Sequence, residues 1–195
     1  PQTEVAIVSG RDQDFLEKWF GYLPVTLVAE HGYFIKHKKQ NWQGKETQQK
    51  NWKEDIIPLL ETFTDRTPGT FIEEKKNSLV WHYRKTDPEL AAERAVELKT
   101  VLSSLISDDL HLMDGDKVVE VVSGRYNKGT AVSEIIGDKE IDFIICFGDD
   151  ISDEFMFNDL PPQAINVKVG KKNTQAKYFV DNSKVVKSLL SRLIS

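Results

Sequence analysis

The 195 residues carry a formal net charge of −5, with 39% hydrophobic and 29% charged side chains, the balance of a folded soluble protein rather than a disordered one. No apolar stretch reaches the length of a membrane span, and no basic block stands out beyond Lys36 to Lys39, which argues against membrane or nucleic-acid partners. The single cysteine, Cys146, lies inside an apolar run, which excludes an intramolecular disulfide, fits a reducing, cytoplasmic compartment and reads as a small buried hydrophobe.

The chain opens on Pro1 with no leader peptide in view, and the apolar strand Val5 to Val8, closed by Ser9 and Gly10, follows almost at once. So abrupt an opening is expected of a piece of a longer polypeptide. A helix from near Asp12 carries Phe15, Leu16, Trp19 and Phe20 on one side, and the strand Val25 to Ala29 ends in Glu30, His31 and Gly32. This is the pattern of a βαβ unit. Lys36 to Lys53 is polar and rich in Lys and Gln, and reads as a solvated connector into a different module.

A helix is expected from Trp52 to Phe63, because Ile56, Leu59, Leu60 and Phe63 keep the helical period. Thr70 to Glu74 and Ser78 to Tyr83, joined by Lys75, Lys76 and Asn77, read as a hairpin in which Trp81 belongs to the core. Asp87 and Pro88 open the longest helix, with Ala91, Ala95, Leu98, Leu102 and Leu105 along its buried stripe. Leu110 to Met113 and Lys117 to Val121 form a second hairpin, turned at Asp114 and Gly115. Residues 36–121 thus read as an α+β cap inserted into an α/β core with a parallel sheet, made by residues 1–35 and 122–195. Core character resumes with a helix from near Lys128, an apolar strand to Phe147, a helix from Asp153, a strand from Ile165 to Val169 and a C-terminal helix.

The most informative stretch is Ile141 to Phe157. Its β-branched run to Phe147 predicts a strand covered on both faces, as in parallel sheets. Gly148 then leads into Asp149, Asp150, Asp153 and Glu154, at the carboxyl end of a strand, where open parallel sheets place their ligands. Crowded carboxylates repel, and a hard cation such as Mg²⁺ relieves the strain. The bland alternative, a loop and an acidic first helical turn, weighs most for Asp153 and Glu154.

Ser9 after one strand, Lys128 at the start of a helix and the Asp pair after another strand make up a set suited to phosphoryl transfer. In order, with a cap between the first and the second, they resemble motifs two to four of the haloacid-dehalogenase-like phosphatases. The resemblance narrows to the trehalose-6-phosphate phosphatases through VSGR at Val8 to Arg11, LVAEHG at Leu27 to Gly32, RTPGTFIEEKKNSLVWHYR at Arg66 to Arg84, VVEV with NKG in Val118 to Gly129, and GDDISDE at Gly148 to Glu154. It covers almost the whole chain.

That family has a Rossmann-like core, and its cap grips the disaccharide while the core hydrolyses the ester through an aspartyl phosphate. The resemblance implies that Ser9 and Lys128 hold the phosphoryl group, that Asp149 ligates Mg²⁺ with Asp150 beside it, and that Asp153 completes the catalytic set. It implies that Glu30, His31, Gly32, Glu73, Lys75 and Glu120 read sugar hydroxyls, with Arg11 and Asn127 beside them. For Glu73 and Lys75 the plain alternative is an exposed hairpin pair.

Three departures bear on function. The family's D-x-D-G-T motif, which carries the nucleophile, has no counterpart in this sequence; Val122 stands where many relatives carry Arg or Lys; and Ser152 and Phe155 replace Thr and Asp in the GDD motif. The expected function is a Mg²⁺-dependent trehalose-6-phosphate phosphatase domain, its nucleophile upstream, inactive by itself and joined to or partnered with a trehalose-6-phosphate synthase. The alternative is a catalytically inactive regulatory or scaffold subunit of a trehalose-synthesis complex.

Overall fold

A continuous run rich in β-branched residues puts the first apolar segment of the chain into a strand, and in the computed structural model, which describes residues 3–45, 52–170 and 173–193, that strand opens a βαβ unit. The chain divides into two compact units, Pro1–Tyr126 and Asn127–Ser195.

In the first unit, β1 (Ala6–Val8) and β2 (Thr26–Ala29) run parallel, joined by α1 (Gln13–Phe20). Asp12 caps the helix, its carboxylate accepting from the Phe15 N–H at 2.7 Å. Leu16 of α1 packs with Leu27 and Ala29 beneath it. The connector expected from Lys36 onward is partly a sheet: β3 (Phe34–Lys36) and β4 (Gln43–Gly44) pair antiparallel and extend the order to β1-β2-β3-β4. These strands, three and two residues long, are too short to show a period of two in the sequence. The remainder of that connector, 46–51, lies outside the described residues.

A second sheet of the same unit has the order β5-β6-β8-β7 and is antiparallel throughout, from β5 (Phe71–Glu74), β6 (Ser78–His82), β7 (Leu110–Gly115) and β8 (Val118–Ser123). One face packs against α2 (Trp52–Asp65) and α3 (Pro88–Leu105) through Ile56, Leu60, Leu79, Trp81, Leu98, Leu102, Val119 and Val121. Trp81 is fully buried, as expected, and its indole N–H donates to Thr64 Oγ1 at 3.1 Å. Because side chains alternate across a strand, the opposite face carries Phe71 and Glu73, Ser78 and His82, and Glu120. Two expectations need correction here. The β7–β8 turn falls at Asp116 and Lys117, since Asp114 and Gly115 pair within the ladder and Lys117 takes the left-handed φ of 64°. Leu105, the last residue of α3, leaves the buried stripe and is exposed, and Ile106 just past the helix end packs against the core instead.

The second unit contains α4 (Lys128–Ile136), β9 (Ile145–Gly148), α5 (Asp153–Asp159), β10 (Ile165–Val169), β11 (Tyr178–Val180) and α6 (Ser183–Leu193). Its three strands are parallel in the order β11-β10-β9. The strand expected from Ile141 begins only at Ile145, and its side chains are half-buried rather than covered on both faces. Among the described residues β9 is an edge of its sheet, and Phe143 before it is exposed. The apolar stripe of α6 also lies open, with Val185, Leu190 and Leu193 exposed.

Leu98 is fully buried and Leu105 exposed on the same helix, so the two test the packing directly. Leu98→Ala is expected to destabilise the protein by about 2–5 kcal/mol, whereas Leu105→Ala stays within about 0.5 kcal/mol. Urea unfolding followed by circular dichroism distinguishes them; equal midpoints for the two variants would contradict the packing.

Candidate active site

A carboxylate on a sheet face is costly to bury unless donors surround it. Glu120, in the middle of β8, is buried and has three. His31 Nε2 lies 3.3 Å from its Oε2, Ser78 Oγ donates to Oε1 at 2.6 Å, and Lys75 Nζ reaches the same oxygen at 3.4 Å. Burial pushes this carboxyl up, but His31, Lys75 and Ser78 outweigh it and hold the group at about 2. Glu120 is therefore an anion in the folded protein, and the imidazole Nε2 is the donor.

The ligands of Glu120 come from the loop after β2 as well as from the sheet. Glu30 and His31 both sit at positive φ, 46° and 58°, a conformation that side chains other than glycine seldom adopt. The turn is fastened from both directions: the Glu30 N–H donates to Arg11 O and the His31 N–H to Ser9 O. A β-carbon on Gly10 would come within 2.4 Å of His31 Nε2, so this glycine lets the imidazole lie on the loop after β1. Lys75 Nζ donates to Gly10 O at 3.1 Å, and the Asn77 N–H donates to Glu30 Oε2 at 2.8 Å. Burial raises the Glu30 carboxyl above its ordinary range, opposed by that Asn77 hydrogen bond and the positive charges of Lys75 and Lys53. Ser9 Oγ accepts from the Arg11 N–H, and the Arg11 guanidinium lies over the Phe15 ring.

The structure thus brings Glu30, His31, Gly32, Lys75 and Glu120 together beside Ser9 and Gly10. Glu73 and Lys75 are not an ion pair with each other. Glu73 pairs instead with His82 Nε2 at 2.7 Å, and His82 stacks on Phe71.

The second unit holds the acidic loop. Asp153 is buried, and its two oxygens are fully engaged: Oδ1 accepts from Lys128 Nζ at 2.8 Å, and Oδ2 accepts from the N–H groups of Asp149 and Asp150 at 2.8 and 2.9 Å. The glycine before the pair is required by this arrangement, because a β-carbon on Gly148 would meet the Asp153 side chain at 2.4 Å. Lys128 is buried at the first turn of α4, where Asn127 Oδ1 accepts from the N–H groups of Gly129 and Thr130. A substrate role for Asn127 would compete with this cap. Lys168, near the C-terminal end of β10, is almost fully buried and donates to Glu154 Oε1 at 2.8 Å and Asp150 O at 3.1 Å. The sequence expectation did not include Lys168, although a lysine between two valines of a strand was a signal.

Two of the four acids are thereby neutralised by lysines, while Asp149 and Asp150 are exposed. Among the described residues no group of three or more His, Cys, Asp or Glu is arranged to hold a metal. An exposed pair of carboxylates on a pinned loop does fit an ion such as Mg²⁺, which keeps several waters and takes one or two protein carboxylates. Cys146 has no nucleophilic character, since burial and the charge of Asp153 push its thiol up to about 12.

Because the folded Glu120 carboxyl lies below its ordinary value of 4.5, its contribution is present above that pH and is lost as pH falls toward about 2. Unfolding free energies from urea titrations between pH 2 and 6 should therefore fall more steeply for the parent protein than for Glu120→Gln, by on the order of 2–3 kcal/mol across the range; parallel curves would contradict this. Asp153→Asn leaves Lys128 buried without its counter-charge and should cost about 3–5 kcal/mol, part of which Lys128→Met restores in the double variant. Thermal and urea unfolding of the four proteins read this coupling, and strict additivity would refute it.

Known proteins share this arrangement of sequence and fold. The trehalose-phosphatase family model matches residues 1–184. The bifunctional trehalose-6-phosphate synthase/phosphatase of Thermoproteus tenax is 41% identical over 194 residues, covering 99% of this chain and 26% of that protein. Among solved structures, the C-terminal domain of the Candida albicans trehalose-6-phosphate phosphatase superposes with a TM-score of 0.87 at 33% identity, over 97% of this chain and 77% of that one. A haloacid-dehalogenase-like hydrolase from B. subtilis matches in fold alone, with a TM-score of 0.71 at 14% identity, over 97% of this chain and 87% of that one. The fold is the α/β, cap-bearing fold of the haloacid-dehalogenase-like phosphatases. The chain spans about a quarter of the length of the curated relatives it matches first. By its sequence and by its fold, this chain belongs to the trehalose-phosphatase family.

Proposed function

We propose that this chain is the phosphatase domain of a longer protein that hydrolyses trehalose 6-phosphate to trehalose and phosphate. The observation that carries the reading is the Glu120 anion, held by His31, Lys75 and Ser78 beside the Ser9–Gly10 loop. A fixed carboxylate accepts from sugar hydroxyls and the ammonium donates to them, which orients a neutral polyol next to a phosphate-binding loop. Glu30, His31 and Gly32 form the floor of that face, and Glu73 extends it along β5.

Ser9 donates its hydroxyl to a phosphate oxygen, and Lys128 serves as a cationic phosphate ligand held in place by Asp153. Asp149 and Asp150 hold Mg²⁺, which, when bound, neutralises phosphate charge as an anionic nucleophile approaches. An aspartate outside these residues attacks phosphorus; the bond from phosphorus to the sugar oxygen breaks, and that oxygen takes a proton from a carboxylic acid, also outside these residues, to leave as the trehalose hydroxyl; the resulting carboxylate takes a proton back from the water of the next step. Water then hydrolyses the acyl phosphate, returning the carboxylate and releasing phosphate. The relative named as a bifunctional trehalose-6-phosphate synthase/phosphatase supports a synthase domain or subunit as the partner. The proposed reaction belongs to the cytoplasm, a reducing compartment that suits the single free thiol of Cys146. No helix among the described residues is long and apolar enough to cross a membrane.

In the full-length protein, Asp149→Asn removes one anionic metal ligand and should lower Mg²⁺-dependent phosphate release from trehalose 6-phosphate by roughly 100-fold or more. Undiminished release would refute the role of Asp149. Should the unsubstituted protein release no phosphate with Mg²⁺ present, the inactive regulatory subunit becomes the better reading, with Val122 and Phe155 as its sequence basis.

A further inference from the structure

The sheet face that bears Glu120 also carries the buried Val80 and Val122, and it continues along β5 and β6 to Phe71 and His82. Phe71 and His82 are directly opposed on β5 and β6, their rings parallel at 4.3 Å with an interplanar angle of 4°. His82 Nε2 bonds the Glu73 carboxylate at 2.7 Å, so the imidazole links the aromatic plate to an acid on the same face. Yet Phe71 is 49% exposed, and burial does not account for its ring being there.

Strand β5 works as a ruler. Lys75, the first residue past its end, touches the carbonyl of Gly10 in the Ser9 loop, and Glu73 and Phe71 follow on the same face at steps of about 6.6 Å. Phe71 is therefore roughly 13 Å along the strand from Lys75, whose side chain reaches the loop assigned to phosphate. A phosphorylated disaccharide presents its groups in the same order: phosphate, the ring that carries it, then the second ring. The axial C–H bonds of a pyranose suit an aromatic face, while its hydroxyls need acceptors at the edge of that face, and Glu73 supplies one.

We propose that Phe71, braced by His82, forms the platform for the unphosphorylated hexose ring of the substrate, with Glu73 accepting hydroxyls at its edge. The inference rests on the trehalose 6-phosphate reading and adds a specificity-determining residue to it. Phe71 selects for a disaccharide over a single sugar phosphate, because glucose 6-phosphate ends before the plate. An aromatic cross-strand pair that only steadied the hairpin would treat both substrates alike.

The test uses the full-length protein with Phe71→Ala and Phe71→Trp, assayed for phosphate release from trehalose 6-phosphate and from glucose 6-phosphate. Phe71→Ala should raise KM for trehalose 6-phosphate about five- to tenfold, the scale of one lost face contact, with kcat within about twofold and glucose 6-phosphate turnover unchanged. Phe71→Trp should keep KM near that of the parent. An unchanged KM in Phe71→Ala overturns the inference, as does an equal loss on both substrates in a variant whose thermal unfolding matches the parent. Should Phe71→Ala unfold early, the Phe71→Leu variant, which keeps the apolar bulk without the ring, carries the same comparison. Failure of the unsubstituted protein on trehalose 6-phosphate would instead overturn the parent reading, and the two failures are therefore separable.

Discussion

A buried anion on an antiparallel sheet governs the first unit. Glu120 occupies the centre of β8, where an apolar residue would ordinarily pack, and it is tolerated because an imidazole, an ammonium and a hydroxyl converge on it. Each donor comes from a different place in the chain: His31 from the turn after β2, Lys75 from the end of β5 and Ser78 from the start of β6. Meeting the demand of one carboxylate thus fixes the β2 turn, the β5–β6 hairpin and β8 relative to one another. The left-handed backbone at Glu30 and His31 is sustained by the same set of contacts, since strain of this kind persists only where the surroundings over-determine it.

The second unit follows the same logic with the signs arranged differently. Asp153 is the organising acid: it neutralises Lys128 and draws the N–H groups of Asp149 and Asp150 onto one oxygen. Lys168 does the corresponding service for Glu154. What looks in sequence like four mutually repelling acids is two ion pairs that support a loop and two outward carboxylates that remain available to a ligand. Gly148 permits this because the Asp153 side chain occupies the space a β-carbon would take.

Much of this was legible in the chain itself. The periodicity of residues 52–63, the alternation around Trp81 and the cap signal of Asp87 with Pro88 placed α2, β6 and α3 within a residue or two. Edges were harder to read. Strands β3, β4 and β11 are held by neighbours rather than by their own pattern, and the Asp114–Gly115 signal was overridden by a ladder that continues to Gly115. The run at Ile141 overstated burial because apolar composition is the same for a covered strand and for an edge strand.

The sequence by itself determined the family, the order of its motifs and the residue types from which a phosphate and sugar site is built, because these depend on local chemistry and spacing. Only the tertiary structure decided which charges are spent and which remain available. It pairs Asp153 with Lys128, brings His31 and Lys75 to Glu120, buries Lys168 and leaves Phe71 open beside His82. Those outcomes join residues as far as 89 positions apart in the chain, and the balance between burying a charge and satisfying it exists only once the strands that carry the partners are packed together.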